Sequence, residues 1–413
     1  MIGHEIGPLQ GVPLTIKDTI DTAGLRTTSG SRLRADHIPD RDASVVARLK
    51  AAGAIILGKT NTPEMALPYG TDNPVFGRTN NPHNHDRTPG GSSGGEAAAM
   101  AAYLSPAGIG SDLSGSIRVP AHFCGIAGLK PTTGRVPMDG HTPEADGLLS
   151  LGACIGPMAR TIADLELLFK VIANPTQFEI SRSNQGRDSM RGLRVAWYAD
   201  DGVAPVTDET KAALIAAAKA LGDSGCEIPE AKPPGISRGP ALWVELFARA
   251  ASNQLREFYR GREGEAGAKV KPFLRALEDE PDLKDKINSA ERIAAAVLER
   301  EHLREALLRW MKTTPLILAP VGATPAFAHD ARRIEVKGQS IGVFRAFSYS
   351  QTFNVFGLPS VVVPAGRSVE GLPIGVQIVG CPFAEQLVLA AAAVIEAWYG
   401  TAKRSQPNKE STY

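Results

Sequence analysis

GGSSGGEAAAMAAYLSPAGIGSDLSGSIRVP, residues 90–120, is the stretch on which the fold of this chain turns. Four glycines enclose Ser92 and Ser93 and open directly onto Glu96–Leu104, an Ala-rich run with helical character. A flexible linker does not usually end on a helix start. Ala107–Leu113 reads as a short strand, and a second small-residue turn, Ser114-Gly115-Ser116, leads into Ile117–Phe123. Small residues let the backbone approach a ligand closely, and successive N–H groups ahead of a helix form an anion-binding nest.

Upstream, Thr71–Gly95 is nearly devoid of aliphatic residues and rich in Asn, Pro and Gly. So long a loop inside a compact domain is more often functional than not. Asp42–Ala52 has helical spacing at Val45, Val46 and Leu49, with Asp42 or Ser44 as cap and Gly53 as stop. Ala54–Leu57 then reads as a buried strand. Gly11–Ile16 reads as a strand that delivers Lys17 to its end; ordinarily such a lysine simply surfaces. Downstream, helical patterns (Ile162–Ile172, Thr210–Leu221, Ile287–Met311, Phe383–Tyr399) alternate with strands (Leu193–Tyr198, Leu316–Ala319, Ser360–Val363, Ile374–Val379). Residues 176–192 and 260–285 are polar and read as surface connections or a lid. The alternation predicts the α/β class, a single large α/β/α sandwich around a mixed, mostly buried β-sheet.

Composition narrows the function. The chain has 413 residues, 43% hydrophobic and 22% charged, enough apolar material for a large core. Forty-five Lys and Arg against 44 Asp and Glu leave a net charge of +1, which points away from nucleic acid or an anionic membrane as partner. A small, weakly charged substrate is expected. Cys124, Cys154, Cys226 and Cys381 are scattered without a C-x-x-C pair, which argues against a disulfide framework or a zinc site. No signal peptide is visible, and Leu387–Trp398 is too short to span a bilayer. The expected location is the cytoplasm.

Several motifs mislead. Gly53–Thr60 satisfies the P-loop pattern G-x-x-x-x-G-K-[ST], but its middle residues are the strand itself and a helix precedes them. Gly90–Gly95 satisfies G-x-S-x-G for each serine, yet Asn80–Pro89 cannot be the buried strand a nucleophile elbow needs. His83-Asn84-His85-Asp86 lacks a further ligand cluster and reads as a solvated loop. Cys124 reads as a small buried residue.

The segments around Lys17, Ser92 and Ser116 resemble, in order and in separation, the motifs of the amidase signature family. The resemblance continues through Ala121–Gly125, Gly128–Thr132, Phe353–Pro359 and Gly371–Gly380, nearly the whole chain. It implies one amidase signature domain over residues 1–413, with acyl-pocket residues in the divergent region of about 135–350. It also implies Ser116 as nucleophile, Ser92 as bridging serine after a cis peptide from Gly91, and Lys17 as base. Backbone N–H groups of Leu113, Ser114, Gly115 and Ser116 would hold the oxyanion. Gly91, Ser93, Asp112 and Arg118 would support the site, and neither metal nor organic cofactor is required. A serine hydroxyl needs a neighbour to take its proton, and lysine can do so only when burial keeps it neutral.

Two departures refine the expectation. Ser114 stands where the family usually has glycine. Val119 stands where the A subunit of tRNA-dependent glutamine amidotransferases typically has glutamine, so a stand-alone amidase is favoured over that subunit. Relatives usually carry on the order of 60 mostly helical residues before the motif that begins here at Gly11; without them apolar surface is expected to be exposed. The expected function is therefore hydrolysis of small carboxamides to acid plus ammonia or amine through an acyl-enzyme, with a homodimer compatible. The alternatives are the amidotransferase A subunit or a truncated inactive homologue acting as a scaffold.

Overall fold

The computed structural model describes residues 6–67, 69–175, 190–275 and 290–405. Nine strands form one mixed sheet. In chain order they are β1 (Pro13–Lys17), β2 (Ile55–Thr60), β3 (Ala107–Asp112), β4 (Ala127–Lys130), β5 (Cys154–Ala159), β6 (Val195–Trp197), β7 (Leu316–Pro320), β8 (Ser360–Arg367) and β9 (Pro373–Gly380). Their spatial order is β2-β1-β3-β5-β4-β8-β9-β7-β6. β1 runs parallel to both β2 and β3, and β6 runs parallel to β7; the central pairings are antiparallel.

Strand side chains alternate across the sheet, and the packing follows that period. Val361 and Val363 pack into one core and Val362 into another; Leu316 and Leu318 likewise part from Ile317 and Ala319. The first face is covered by α1 (Ser44–Ala51), α4 (Ile162–Ile172), α5 (Asp208–Asp223) and α9 (Glu385–Ser405). The other receives α2 (Gly94–Ala101), α3 (Arg118–Cys124) and α8 (Ser348–Val355), with α7 (Ala290–Met311) and α6 (Arg249–Tyr259) farther out. This is the α/β/α sandwich expected. Among the described residues no helix is long and apolar enough to cross a membrane.

The differences from expectation have physical causes. β2 is an edge strand rather than a buried one: Ile55 and Leu57 are 54% and 53% exposed, because only β1 pairs with it. β4 and β5 escaped the sequence reading; β4 has only four residues with Gly128 among them, and Gly156-Pro157 interrupts the apolar pattern of β5. Residues 260–275 are more than a polar connection, since Ala266, Val270 and Leu274 pack with Leu255, Tyr259 and Met65 in a small core of their own. Residues 176–189 and 276–289 lie outside the described residues, which takes in most of the expected 176–192 segment, the last part of the expected 260–285 segment and the first residues of the expected Ile287–Met311 helix. The false P-loop is a strand, as expected, and Lys59 Nζ donates to Ile20 O and to the Thr22 and Thr27 hydroxyls rather than facing a phosphate cradle.

Candidate active site

The three parallel strands β2, β1 and β3 end on the same side, so Lys17, Thr60 and Asp112 arrive together at one edge. The carboxyl end of parallel strands is where open α/β sheets bind ligands. α2 runs along this edge with its first turn pressed against Asn61; a Cβ at Gly95 would lie 2.3 Å from the Asn61 carbonyl oxygen. That closeness is why glycines continue into the helix, which begins at Gly94 rather than Glu96.

Lys17 is fully buried. Its Nζ lies 2.6 Å from Ser92 Oγ and 2.9 Å from Ser111 Oγ. Burial pulls the amine down to about 7, against the opposing charges of Asp112 and Glu96. Glu96, buried on α2, accepts from Thr15 Oγ1 at 2.6 Å and Thr60 Oγ1 at 2.8 Å, and burial pushes it up to about 7. The Gly91–Ser92 peptide is cis. The Thr62 hydroxyl donates to the Ser92 carbonyl at 2.9 Å, while Ser93 N–H donates to the Ser116 carbonyl at 3.1 Å. Ser93 Oγ exchanges 3.3 Å hydrogen bonds with the Ser111 backbone, which ties the two glycine-rich turns together.

Asp112 ends β3 and Arg118 opens α3, so the two side chains meet beside the Ser114–Ser116 turn. Both side chains are fully buried and paired at 3.0 Å. Asp112 also accepts from the N–H groups of Gly115 and Ile117, and Arg118 reaches Gln377 and Asn354. The guanidinium holds the Asp112 carboxyl well below the usual range despite burial. One expectation needs correction. The N–H of Gly115 is committed to Asp112 Oδ1 at 2.8 Å, so it is not available to an oxyanion. The N–H groups of Leu113, Ser114 and Ser116 have no protein acceptor among the described residues.

Ser92, Ser111, Ser116 and the turn 112–114 line a cavity of about 160 Å³ walled mainly by apolar side chains, among them Met65, Leu67, Met138, Leu149, Trp243 and Phe344. Ser116 is 8% exposed and opens into it. Among the described residues no hydrogen bond joins Ser116 Oγ to Ser92 Oγ, so the structure brings Lys17 and Ser92 into contact but leaves the second link of the series open.

Four residues escaped the sequence reading. Ser111 accepts from Lys17, and His141 Nε2 lies 2.9 Å from Ser111 Oγ. Trp243 Nε1–H donates to the Leu113 carbonyl at 2.7 Å and Tyr69 to the Ser114 carbonyl at 3.0 Å, which fixes two peptide planes of the nest. Ser111 could have been found, since it precedes Asp112 on the strand beside Lys17; nothing local marks the others. His83 faces Cys124 O at 2.9 Å, and no cluster of three or more metal-ligating residues exists among the described residues. Cys124 is buried and its thiol pushed up, as a small core residue.

The sequence profile of the amidase family matches residues 1–389. The chain belongs to this family, the amidase signature enzymes, and is a hydrolase of C–N amide bonds. It is 35% identical over 408 residues to the A subunit of the glutamyl-tRNA(Gln) amidotransferase of Roseiflexus castenholzii, covering 93% of this chain and 81% of that one. It is 34% identical over 409 residues to an acylamidase of Rhodococcus erythropolis, covering 96% and 83%. The crystal structure of a bacterial aryl acylamidase superposes with a TM-score of 0.82 at 27% identity, covering 97% of this chain and 85% of that one.

Proposed function

We propose that the chain is a stand-alone amidase that hydrolyses small, weakly charged carboxamides through an acyl-enzyme on Ser116, with Ser92 as bridge and Lys17 as base. The observation that carries this is a fully buried lysine, held near half-neutral at pH 7, 2.6 Å from a serine that shares an apolar cavity with a second serine. During attack on the carbonyl carbon, the Ser116 proton passes to Ser92 Oγ while the Ser92 proton passes to Lys17 Nζ. Rotation of the Ser116 side chain closes the open link; hydrogen bonds of substrate-free sites commonly tighten only with substrate. The oxyanion rests on the N–H groups of Leu113, Ser114 and Ser116, each such donor being worth about 3 kcal/mol of barrier. Lys17 returns its proton through Ser92 to the leaving nitrogen as the C–N bond breaks, and water then hydrolyses the ester by the same relay.

The same proposal takes residues 1–413 as one amidase signature domain and places it in the cytoplasm. The absence of any disulfide among the described cysteines fits a reducing compartment. The net charge of +1 gives no attraction for nucleic acid or anionic lipid, and a homodimer remains compatible. A second proposal, the A subunit of an amidotransferase complex, draws support from the Roseiflexus relative; Val119 weighs against it.

A fluorophosphonate label followed by peptide mapping tests the assignment. Ser116 should be modified in the wild type and not in Lys17→Ala, at a rate that climbs about tenfold per pH unit below 7 and levels off above it. A label on Ser93, or on no serine, refutes it. Glutaminase activity seen only with added partner subunits would favour the second proposal.

A further inference from the structure

We propose that His141 is a positioning residue that fixes the direction of the Ser111 hydroxyl, so that the electron pair of Lys17 is kept for Ser92. The inference rests on Lys17 being the base of the proposed reaction.

His141 lies in the loop between β4 and β5 and is 8% exposed. Its Nδ1 is 2.7 Å from the Pro143 carbonyl oxygen, which can only accept, so Nδ1 carries the ring proton. Burial, joined by the charge of Lys17, pulls the imidazole down to about 4, so at neutral pH Nε2 is an acceptor. Its partner is Ser111 Oγ at 2.9 Å, and the Ser111 hydroxyl hydrogen must therefore point at His141. Ser111 then has only lone pairs left for Lys17, also 2.9 Å away. A neutral lysine has two N–H bonds and one electron pair. Ser111 takes an N–H, and the electron pair is free for the other hydroxyl in contact, Ser92 at 2.6 Å.

Without His141 the hydroxyl of Ser111 is free to turn and donate to Lys17. Ser111 and Ser92 would then compete for one electron pair, and the competition also favours the neutral amine. The charged groups around this chain of hydrogen bonds are few: Asp112 on β3 and Glu96 on α2 face Lys17, and Lys59 on β2 acts on both Glu96 and His141. None of them hydrogen-bonds to Ser111 Oγ.

The test is the rate of phosphonylation of Ser116 by a fluorophosphonate between pH 5 and 9, read by mass spectrometry. His141→Phe should slow labelling about tenfold, the worth of one misdirected hydrogen bond, and move the acid limb to lower pH. His141→Gln can donate to Pro143 O and accept from Ser111, and should recover most of the rate and the original limb. In a Ser111→Ala background His141→Phe should add nothing, since it acts through Ser111. A His141→Phe enzyme with wild-type rate and limb, or Gln no better than Phe, overturns the proposal. On the wild-type chain, ¹⁵N NMR of His141 should show the proton on Nδ1, and a proton on Nε2 overturns the proposal even where the Phe variant fails to fold. A wild type that does not label at Ser116 refutes the acyl-enzyme assignment instead, and this inference falls with it.

Discussion

Replacing Lys17 with Met should stabilise the fold while it removes the proposed base. In the unfolded chain the lysine keeps its proton up to about pH 10.5; in the folded chain it gives it up near 7. Between those values unfolding takes up a proton, so wild-type stability rises with pH across that window. At 1.36 kcal/mol per pH unit, burying this amine costs about 4 kcal/mol at pH 7 and about 2 kcal/mol at pH 9. Methionine has similar bulk and no such cost, but it leaves Ser92 and Ser111 without the amine. Those two hydrogen bonds are worth about 1 kcal/mol each. Lys17→Met should therefore be about 2 kcal/mol more stable than wild type at pH 7, with the advantage vanishing near pH 9. Glu96 loses the support of Lys17 in the variant and ionises at higher pH, which narrows the gap in the same direction. Urea unfolding of both chains at the two pH values reads the difference, at about 0.5 M in the midpoint for equal slopes. A gap that does not change with pH would refute the claim that the buried amine is stripped of its proton near neutrality.

Two further outcomes follow from the surroundings of the site. Arg118→Met should lower stability by about 3–5 kcal/mol, because the Asp112 carboxylate stays buried with its charge uncompensated; a urea midpoint within error of wild type would contradict the structural role given to this pair. Trp243→Phe keeps the ring but removes the donor to the Leu113 carbonyl, and should lower kcat about tenfold with KM little changed. Steady-state kinetics on an anilide would show it, and a change confined to KM would mean that Trp243 only lines the pocket.

Much of this site was legible in residues 11–17 and 90–120. The apolar run before Lys17 had to be a strand, and the glycines around Ser92 had to let something approach closely; both hold, since β1 ends at Lys17 and α2 leans on Asn61. Ser111 was half legible, one residue ahead of Asp112 on the neighbouring strand. Trp243 and His141 were not legible at all. Trp243 meets Leu113 across 130 residues of chain, and His141 meets Ser111 across 30, and no local pattern encodes either. The burial of Ile55 was misjudged for a related reason, because whether an apolar strand is central or at an edge depends on what pairs beside it.

The sequence by itself determined the class of fold, the elements that carry Lys17, Ser92 and Ser116, and the glycines beside which Ser92 reaches Lys17, because periodicity and backbone freedom are local properties. Tertiary structure alone decided the protonation of Lys17, the assignment of Gly115 N–H to Asp112 rather than to the cavity, and the direction of the hydroxyl between Lys17 and His141. Desolvation and hydrogen-bond direction depend on every group that closes around an atom, and those groups come from strands and loops far apart in the chain.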